Sequence, residues 1–371
     1  MSTFELILVI ITGFSFLVQM LFYGFVFSRL AFYKKTDEPL QDKPPVSIVI
    51  AARNEYHNLA KNLPLILQQN YPEFEVVVVN HASDDESAMY LKEIQQKDKR
   101  LKVVQIDREL NFFTGKKFPL SLGIKTAKNE VLLLTDADCT PAGDRWIESM
   151  VSHYSKETEI VIGFGPYRKV PGFTNFLVRY DTFMVAMQYL SFALAGMPYM
   201  GVGRNLSYKR STFFRNKGFT AHYKISSGDD DLFINQVANS KNTGVAVESE
   251  SFSYSEAKKT FTDWLKQKRR HLSTARNYKF KFKLLLGLFG LTQTGFYAGI
   301  ILMLAFSVYP LIALSLLVLR LFTQFLVHKK ILKIFGDGQL LIFSLIWEMF
   351  HVLLLQFLSL ISIFSKPAKW K

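Results

Sequence analysis

Two aspartates, Asp136 and Asp138, follow an apolar run in the stretch EVLLLTDADCTP. Alternate residues of an extended segment point the same way, so both carboxylates can reach one point. Oxygen ligands of this kind suit Mg²⁺ or Mn²⁺, above all where phosphate oxygens complete the coordination shell. The spacing therefore predicts a divalent metal held by Asp136 and Asp138, although an Asp-x-Asp pair in a surface turn would look the same.

A second acidic cluster lies in SGDDDLF, which contains Asp229, Asp230 and Asp231. A carboxylate within hydrogen-bond reach can take the proton of an attacking hydroxyl, and clustered acids raise one another's pKa. The other interpretation is a helix N-terminus, where acids are favoured, with Asp229 or Asp231 as the cap.

A basic run, KQKRRH, supplies Gln267, Arg269 and Arg270 just before an apolar segment. The guanidinium fork of arginine pairs well with phosphate oxygens, so this run can bind a diphosphate. A basic run in this place is also typical of a membrane surface, and the two roles are compatible.

The residues with this chemistry follow short apolar runs that alternate with helical patterns. Strands are predicted at 46–52, 74–80, 101–106 and 130–135, and helices at 53–69, 85–97 and 117–127. The alternation predicts the α/β class, with a doubly wound, mostly parallel sheet. Ligands bind beyond the carboxyl ends of such strands. The polar residues after the strands are therefore expected to converge on one edge.

These motifs resemble, in order, those of family-2 glycosyltransferases of the GT-A fold, particularly the membrane-embedded cellulose, hyaluronan and ceramide-glucosyl synthases. The resemblance covers roughly residues 45–275 and rests on ARNE, NHASDD, DAD, and SGDDD followed by QKRRH. It implies that a sugar moves from a nucleotide diphosphate sugar to an acceptor hydroxyl. A single, inverting displacement with Mg²⁺ or Mn²⁺ as cofactor is implied as well.

The resemblance also implies roles for individual residues. Asp230 is the expected base, and Asp229 is the alternative one residue away. The segment GVGRNLSYKRS resembles the acceptor side, where Arg204 and Asn205 are expected. The residues expected to bind the nucleotide sugar are Ala52, Asn54, Glu55, His81, Lys116, Asp136, Gln267, Arg269 and Arg270.

Two positions depart from the family's pattern. Asn80 and His81 stand where the second motif usually has acids, and His271 stands where the last motif has tryptophan. The contact from the second motif to the base or ribose is therefore open, as is the stacking role at the last position. Lys116, in GKK, fits either a diphosphate contact or a surface lysine.

The two ends of the chain are apolar. Residues 4–28 exceed the roughly 20 needed to cross a bilayer, and Arg29 follows them, which predicts a retained anchor over 1–33. Membrane helices are predicted in 284–364, with spans at 284–306, 308–327 and 339–364. The basic loops favour a cytosolic location for the domain at 45–280.

Charged residues also occur inside apolar sequence. Glu348 and His351 lie one turn apart in the last predicted span and could pair with each other. Residues 173–195 contain Arg179 and Asp181. We expect this stretch to form an amphipathic helix at the membrane interface rather than a span.

Composition limits the classes of function. The chain has 371 residues, a net charge of +14 and one cysteine, Cys139, so no intrachain disulfide or cysteine metal cluster can form. No nucleic-acid-binding signature accompanies the charge, so nucleic acid is not an expected partner.

The expected enzyme is an integral protein of the bacterial inner membrane. Its expected partners are a nucleotide diphosphate sugar, a lipid-linked or glycan acceptor and the lipid bilayer, and no oligomeric state is predicted. The alternatives are a processive polysaccharide synthase and a non-catalytic sugar-nucleotide sensor.

Overall fold

The computed structural model describes residues 2–34, 43–107, 115–225 and 227–364, with only the backbone described over 362–364. Strands form in the middle of the chain. They are β1 Val46–Ala52, β2 Phe74–His81, β3 Leu101–Ile106, β4 Val131–Leu134, β5 Thr140–Pro141, β6 Ile160–Gly163, β7 Leu206–Lys209, β8 Thr243–Ala246 and β9 Ser253–Tyr254.

One mixed sheet contains most of these strands, in the order β3-β2-β1-β4-β7-β6-β8, while β5 pairs with β9. Strands β1 to β4 run parallel, with Ala52 beside Asn80 and Val49 beside Leu134. Strand β7 is antiparallel to both β4 and β6. Because the parallel strands point the same way, the loops after β1, β2 and β4 open at one edge of the sheet.

Helices cover both faces of the sheet and form the two ends of the chain. They are α1 Thr3–Ala31, α2 Tyr56–Leu67, α3 Ser87–Lys97, α4 Lys117–Thr126, α5 Trp146–Val151, α6 Phe173–Leu194, α7 Arg210–Arg215, α8 Asp231–Val237, α9 Phe261–Thr274, α10 Phe280–Ala305, α11 Pro310–Ile334, α12 Leu341–Ile346 and α13 Glu348–Phe364.

Alternate residues of β1 face different helical layers. Ile48 packs in one cluster with Leu59 of α2 and Trp146 of α5, whereas Val49 packs in the other with Ile124 of α4. A strand that is covered on both faces is apolar throughout, which explains the continuous run of β-branched residues. The predicted α/β sheet is confirmed.

Within the part of the chain that the structure describes, three helices, α1, α10 and α11, are long and apolar enough to cross a membrane. Helix α11 continues to Ile334, beyond the predicted end at 327. The segment predicted as one span over 339–364 is a bent pair of helices, because α12 and α13 meet at 73°, and its crossing of a membrane stays a prediction. The side-chain amide of Gln324 on α11 donates to the carbonyl of Ser344 (3.1 Å), which a continuous helix would use itself.

A buried ion pair joins the apolar helices. Arg320 Nη1 lies 2.8 Å from Glu348 Oε2, and both side chains are fully buried. The hydroxyls of Tyr23 (3.1 Å) and Tyr297 (2.5 Å) donate to the same carboxylate. We call these four residues the Arg320–Glu348 cluster. The suggested pairing of Glu348 with His351 is therefore wrong, because the two side chains face different partners.

Helix α6 lies inside the protein, with 15 of its 22 residues buried. The helix predicted over 173–195 is observed, but packing within the protein covers most of it, and its predicted place at the membrane interface stays a prediction. Its charges face protein partners. Arg179 pairs with Asp337, and Asp181 Oδ1 accepts from Lys268 of α9 (2.5 Å) and His351 of α13 (2.9 Å). Asp181 thus ties α9 to α13.

Candidate active site

A sharp turn after β4 brings the acidic pair together. The backbone N–H of Cys139 donates to the carbonyl of Asp136 (3.1 Å), and the ligand atoms of Asp136, Asp138 and Cys139 lie within 4.8 Å of one another. The carboxylates converge as predicted, but through a turn rather than an extended segment. Burial and the neighbouring carboxylates raise the pKa of the Cys139 thiol. The thiol therefore stays protonated, and the two carboxylates are the ligands that suit Mg²⁺ or Mn²⁺.

Lys116 lies against this acidic pair, with its ammonium 2.5 Å from Asp136 Oδ1. Burial alone would raise the pKa of Asp136, but this ammonium holds it below its usual value. Burial and the charge of Asp136 raise the pKa of Asp138. A cation already neutralises one carboxylate of the pair, so Lys116 belongs to the site and is not a free surface lysine.

The loops after β1 and β2 are tied together by Asn54. Its side-chain oxygen accepts from the backbone N–H of Asp84 (2.8 Å), and its own N–H donates to Ser83 (2.9 Å). Asn54 has a φ of 54°, a left-handed conformation that asparagine tolerates. Burial raises the pKa of Glu55, and the charge of Asp138 adds to this shift. Glu55 therefore lies close to the acidic pair.

Two predicted nucleotide contacts are not available at this edge. Ala52 ends β1 with no exposed surface, and His81 ends β2 with 2% of its surface exposed, beside the ring of Phe118. Neither residue offers a ligand a surface, so the predicted contacts of Ala52 and His81 are wrong in this structure. Residues that close a strand in a sheet covered on both faces are buried by the packing itself.

The loop before α8 presents two of the three neighbouring acids. Asp230 caps α8, and its carboxylate accepts from the backbone N–H groups of Gly203 (2.8 Å) and Asp231 (2.7 Å). Burial and the flanking carboxylates raise the pKa of Asp230 to about 8. Asp231 is buried and accepts from Thr274 and from the Tyr278 hydroxyl. The suggested cap, Asp229 or Asp231, is wrong, and Asp229 and Asp230 remain the candidate bases.

Asn205 is a structural residue. It is fully buried, its amide nitrogen donates to the carbonyls of Phe164 (2.8 Å) and Ser251 (2.7 Å), and its oxygen accepts from Trp146 Nε1 (3.1 Å). The predicted acceptor contact of Asn205 is therefore wrong, because its amide is occupied and out of reach.

Arg204 lies on the donor side of the site. Its guanidinium is 4.3 Å from the centre of the Tyr167 ring and donates to Ser255 (2.7 Å). Its charge contributes to lowering the pKa of Asp136. The charge of Arg204 thus acts on the acidic pair, and its predicted contact with the acceptor stays a prediction.

Helix α9 brings the basic run to the same place. Gln267 donates to the Tyr167 hydroxyl (3.4 Å), and the charge of Arg270 acts on Asp136. Among the described residues, Arg270 Nε has no hydrogen-bond partner. Arg269 is exposed on the same helix, as is His271. Gln267 and Arg270 thus lie near the acidic pair and Tyr167, and the predicted contacts of Gln267, Arg269 and Arg270 with the nucleotide sugar stay predictions.

Several residues at the site carried no local signal in the sequence. Tyr167 and Ser255 hold Arg204, Asp181 holds α9 through Lys268, and Lys117 is buried beside the loop that leads to Asp230. The two consecutive lysines of GKK are the one sequence feature that points to Lys117.

Comparison with known proteins places the chain among sugar-transferring proteins. The family model "Glycosyl transferase family 2" matches residues 47–218, and "Glycosyl transferase family group 2" matches 165–365. The chain is 28% identical over 131 residues to an uncharacterized glycosyltransferase of Haemophilus influenzae, covering 35% of this chain and 39% of that protein. It is 31% identical over 126 residues to the poly-beta-1,6-N-acetyl-D-glucosamine synthase of Staphylococcus epidermidis, covering 33% and 29%. Each aligned stretch is less than half of the relative's length.

One solved structure is similar over nearly the whole chain. It is a mannosyltransferase from Pyrobaculum calidifontis in complex with GDP-Man and Mn²⁺, with a TM-score of 0.59 and 18% identity. The likeness covers 90% of this chain and 98% of the other. At this identity the likeness establishes a common fold.

Proposed function

The chain belongs to glycosyltransferase family 2, and from that premise we propose that it moves a sugar from a nucleotide diphosphate sugar to a hydroxyl of a lipid-linked or glycan acceptor. One observation carries the proposal. The carboxylates of Asp136 and Asp138 lie together at the edge of the sheet, and the charge of Arg270 acts on Asp136. The loop that carries Asp229 and Asp230, called the base loop below, reaches the same edge. The charge of Asp229 acts on Lys116, which pairs with Asp136.

Asp136 and Asp138 would hold a Mg²⁺ or Mn²⁺ ion. The convergence of their carboxylate oxygens within 4.8 Å supports this, and Lys116 adds a second positive charge beside Asp136. The ion, when bound, neutralises the charge that develops on the leaving diphosphate. Arg204 and Arg270 flank the pair and can donate to the diphosphate oxygens.

Asp230 is the proposed base. Its raised pKa, about 8, makes it an effective acceptor of the hydroxyl proton near neutral pH. The N–H groups of Gly203 and Asp231 fix its carboxylate. A direct attack by the acceptor oxygen, aided by this one carboxylate, gives inversion at the sugar carbon in a single displacement.

Residues 1–33 are proposed to form an anchor, 45–280 a cytosolic domain and 284–364 the C-terminal membrane region, in the bacterial inner membrane. Helix α9, which carries Arg270, is bound through Asp181 to α13. The donor site is thus linked through Asp181 to α13, which lies in the proposed membrane region. This arrangement favours a lipid-linked acceptor.

The test is transfer by membranes that contain the protein, with UDP- and GDP-sugars, extracted lipids, and Mn²⁺ or Mg²⁺. Product mass identifies the sugar and the acceptor. A single added sugar supports the proposal, whereas a ladder of products supports the processive alternative. Asp230→Asn is expected to abolish transfer and retain nucleotide binding. Full transfer by that variant would refute the base, and full transfer after chelation would refute the metal.

A further inference from the structure

Two consecutive lysines at the start of α4 point to different parts of the site. Lys116 pairs with Asp136 at 2.5 Å. Lys117 is 1% exposed, and its ammonium donates to the backbone carbonyls of His222 (2.7 Å), Ile225 (2.8 Å) and Ser227 (2.7 Å). Every donor of the Lys117 ammonium is therefore used by one short stretch of backbone.

That stretch leads directly to the candidate bases. Ser227 is followed by Gly228, with a φ of 92°, and then by Asp229 and Asp230. The carbonyl of His222 also accepts from the backbone N–H of Ile225 (3.1 Å), whereas Lys117 is the donor seen for the carbonyls of Ile225 and Ser227, which lie outside the sheet and the long helices. The path of the backbone into the base loop therefore depends on one side chain.

The ammonium of Lys117 also interacts electrostatically with the acids of the base loop. The carboxylates of Asp229, Asp231 and Asp230 all act on its ammonium. An apolar side chain of the same length would fill the same space but would leave the carbonyls of Ile225 and Ser227 without this donor and the acids without this counter-charge. A structural role alone would explain the burial. It would not explain why the backbone that Lys117 binds leads into the base loop. Nor would it explain why Lys116, the residue before Lys117, pairs with Asp136.

We propose that Lys117 is a positioning residue for sugar transfer, which holds the backbone before Asp229 and Asp230 at a fixed place relative to the carboxylate bound by Lys116. The inference rests on the proposed function, because it assigns the aspartates to proton removal. Lys117 itself touches neither substrate. Its contribution is to keep the backbone before the base at a fixed distance from the carboxylate of Asp136. Both are bound by lysines at the start of α4.

The test uses the full-length protein in membranes and the variant Lys117→Ala. The truncation removes a propylammonium group, so propylammonium added to the buffer can occupy the carbonyl site. We expect kcat to fall about a hundredfold, as for a small misplacement of a reacting group, while the Kd of the nucleotide sugar changes by less than about threefold. Propylammonium is expected to restore about a tenth or more of the lost rate.

Tetramethylammonium has the same charge and no N–H donor, and it is expected to restore nothing. Lys125→Ala removes an exposed lysine from the same helix and is expected to keep the wild-type kcat. If Lys117→Ala does not fold, Lys117→Gln, which retains amide donors, takes its place and is expected to lose less activity.

A wild-type kcat in Lys117→Ala would overturn the inference. So would a low kcat that propylammonium and tetramethylammonium restore equally, or that neither restores. Absence of transfer by the wild-type protein would instead refute the proposed function, so the two failures are distinguishable.

Discussion

The pH dependence of transfer tests Asp230 as the base. Burial, with Asp229 and Asp231 alongside, raises the pKa of Asp230 to about 8. Only the carboxylate form can accept a proton, so activity is gained as the pH rises through that pKa. Below it, kcat/KM is expected to fall about tenfold per pH unit, which leaves about a tenth of the limiting value at pH 7. Burial lowers the pKa of Lys117 to about 8, so activity declines again at higher pH.

The variant Asp229→Asn removes the nearest like charge at almost constant volume. A Cβ placed on Gly203 would lie 3.4 Å from an oxygen of Asp230 and 3.8 Å from one of Asp229, so these oxygens are at most about 7 Å apart. At that distance a like charge shifts a pKa by about 0.4 units at the dielectric constant of water and about 1.7 units at an effective value of 20. The acid limb is expected to move down by that amount, which raises kcat/KM at about pH 6 by roughly 3- to 35-fold.

The assay measures kcat/KM for the nucleotide sugar between about pH 5 and about pH 9, with metal and acceptor saturating. Wild type, Asp229→Asn and Asp230→Asn are compared, and the last is expected to be inactive throughout. An inactive Asp229→Asn together with an active Asp230→Asn would assign the base to Asp229. A wild-type profile that is flat between about pH 6 and about pH 8 would refute the argument from burial.

Three further substitutions separate structural roles from binding roles. Asn205→Ala leaves buried partners unpaired, so the free energy of unfolding should fall by about 2–3 kcal/mol, and the KM for the acceptor should stay constant. A raised acceptor KM at an unchanged Tm would restore the acceptor role. Asp181→Ala leaves Lys268 buried without its carboxylate, and a loss of about 3–5 kcal/mol is expected; an unchanged thermal melt would contradict this. Arg270→Ala should raise the donor KM about tenfold at an unchanged Tm, and a lowered Tm would indicate a packing role instead.

The elements that carry the site could be predicted from the sequence because their signals are local. The strand at 46–52 is observed as Val46–Ala52, since a continuous β-branched run is typical of a strand covered on both faces. The convergence of Asp136 and Asp138 was also predictable, because both lie directly beyond the carboxyl end of a parallel strand. The turn that brings them together, closed by the N–H of Cys139, is not predicted by the Asp-x-Asp spacing, which suggests an extended segment.

The errors concern residues whose partners are far apart in the chain. Asn205 resembled a ligand-binding asparagine, but its amide is bound by Trp146, Phe164 and Ser251, and no periodicity signals such a set. Local spacing suggests His351, one turn away, as the partner of Glu348, whereas packing supplies Arg320 from another helix. Local pattern predicts which element forms, and only the packed structure decides which polar groups remain available for chemistry.

The Arg320–Glu348 cluster also constrains how the protein is made. Arg320 lies on α11 and Glu348 on α13, so translation produces the cation before its counter-charge exists. In a bilayer, an arginine at the centre of a helix carries an insertion penalty of about 2.5–3.5 kcal/mol until it finds a partner. Helix α11 would therefore enter the membrane in an unfavourable state, which Tyr23 and Tyr297 do not neutralise. In a membrane, α13 would thus complete the insertion of α11 as well as its packing, and a chain cut before Glu348 would leave Arg320 without a counter-charge.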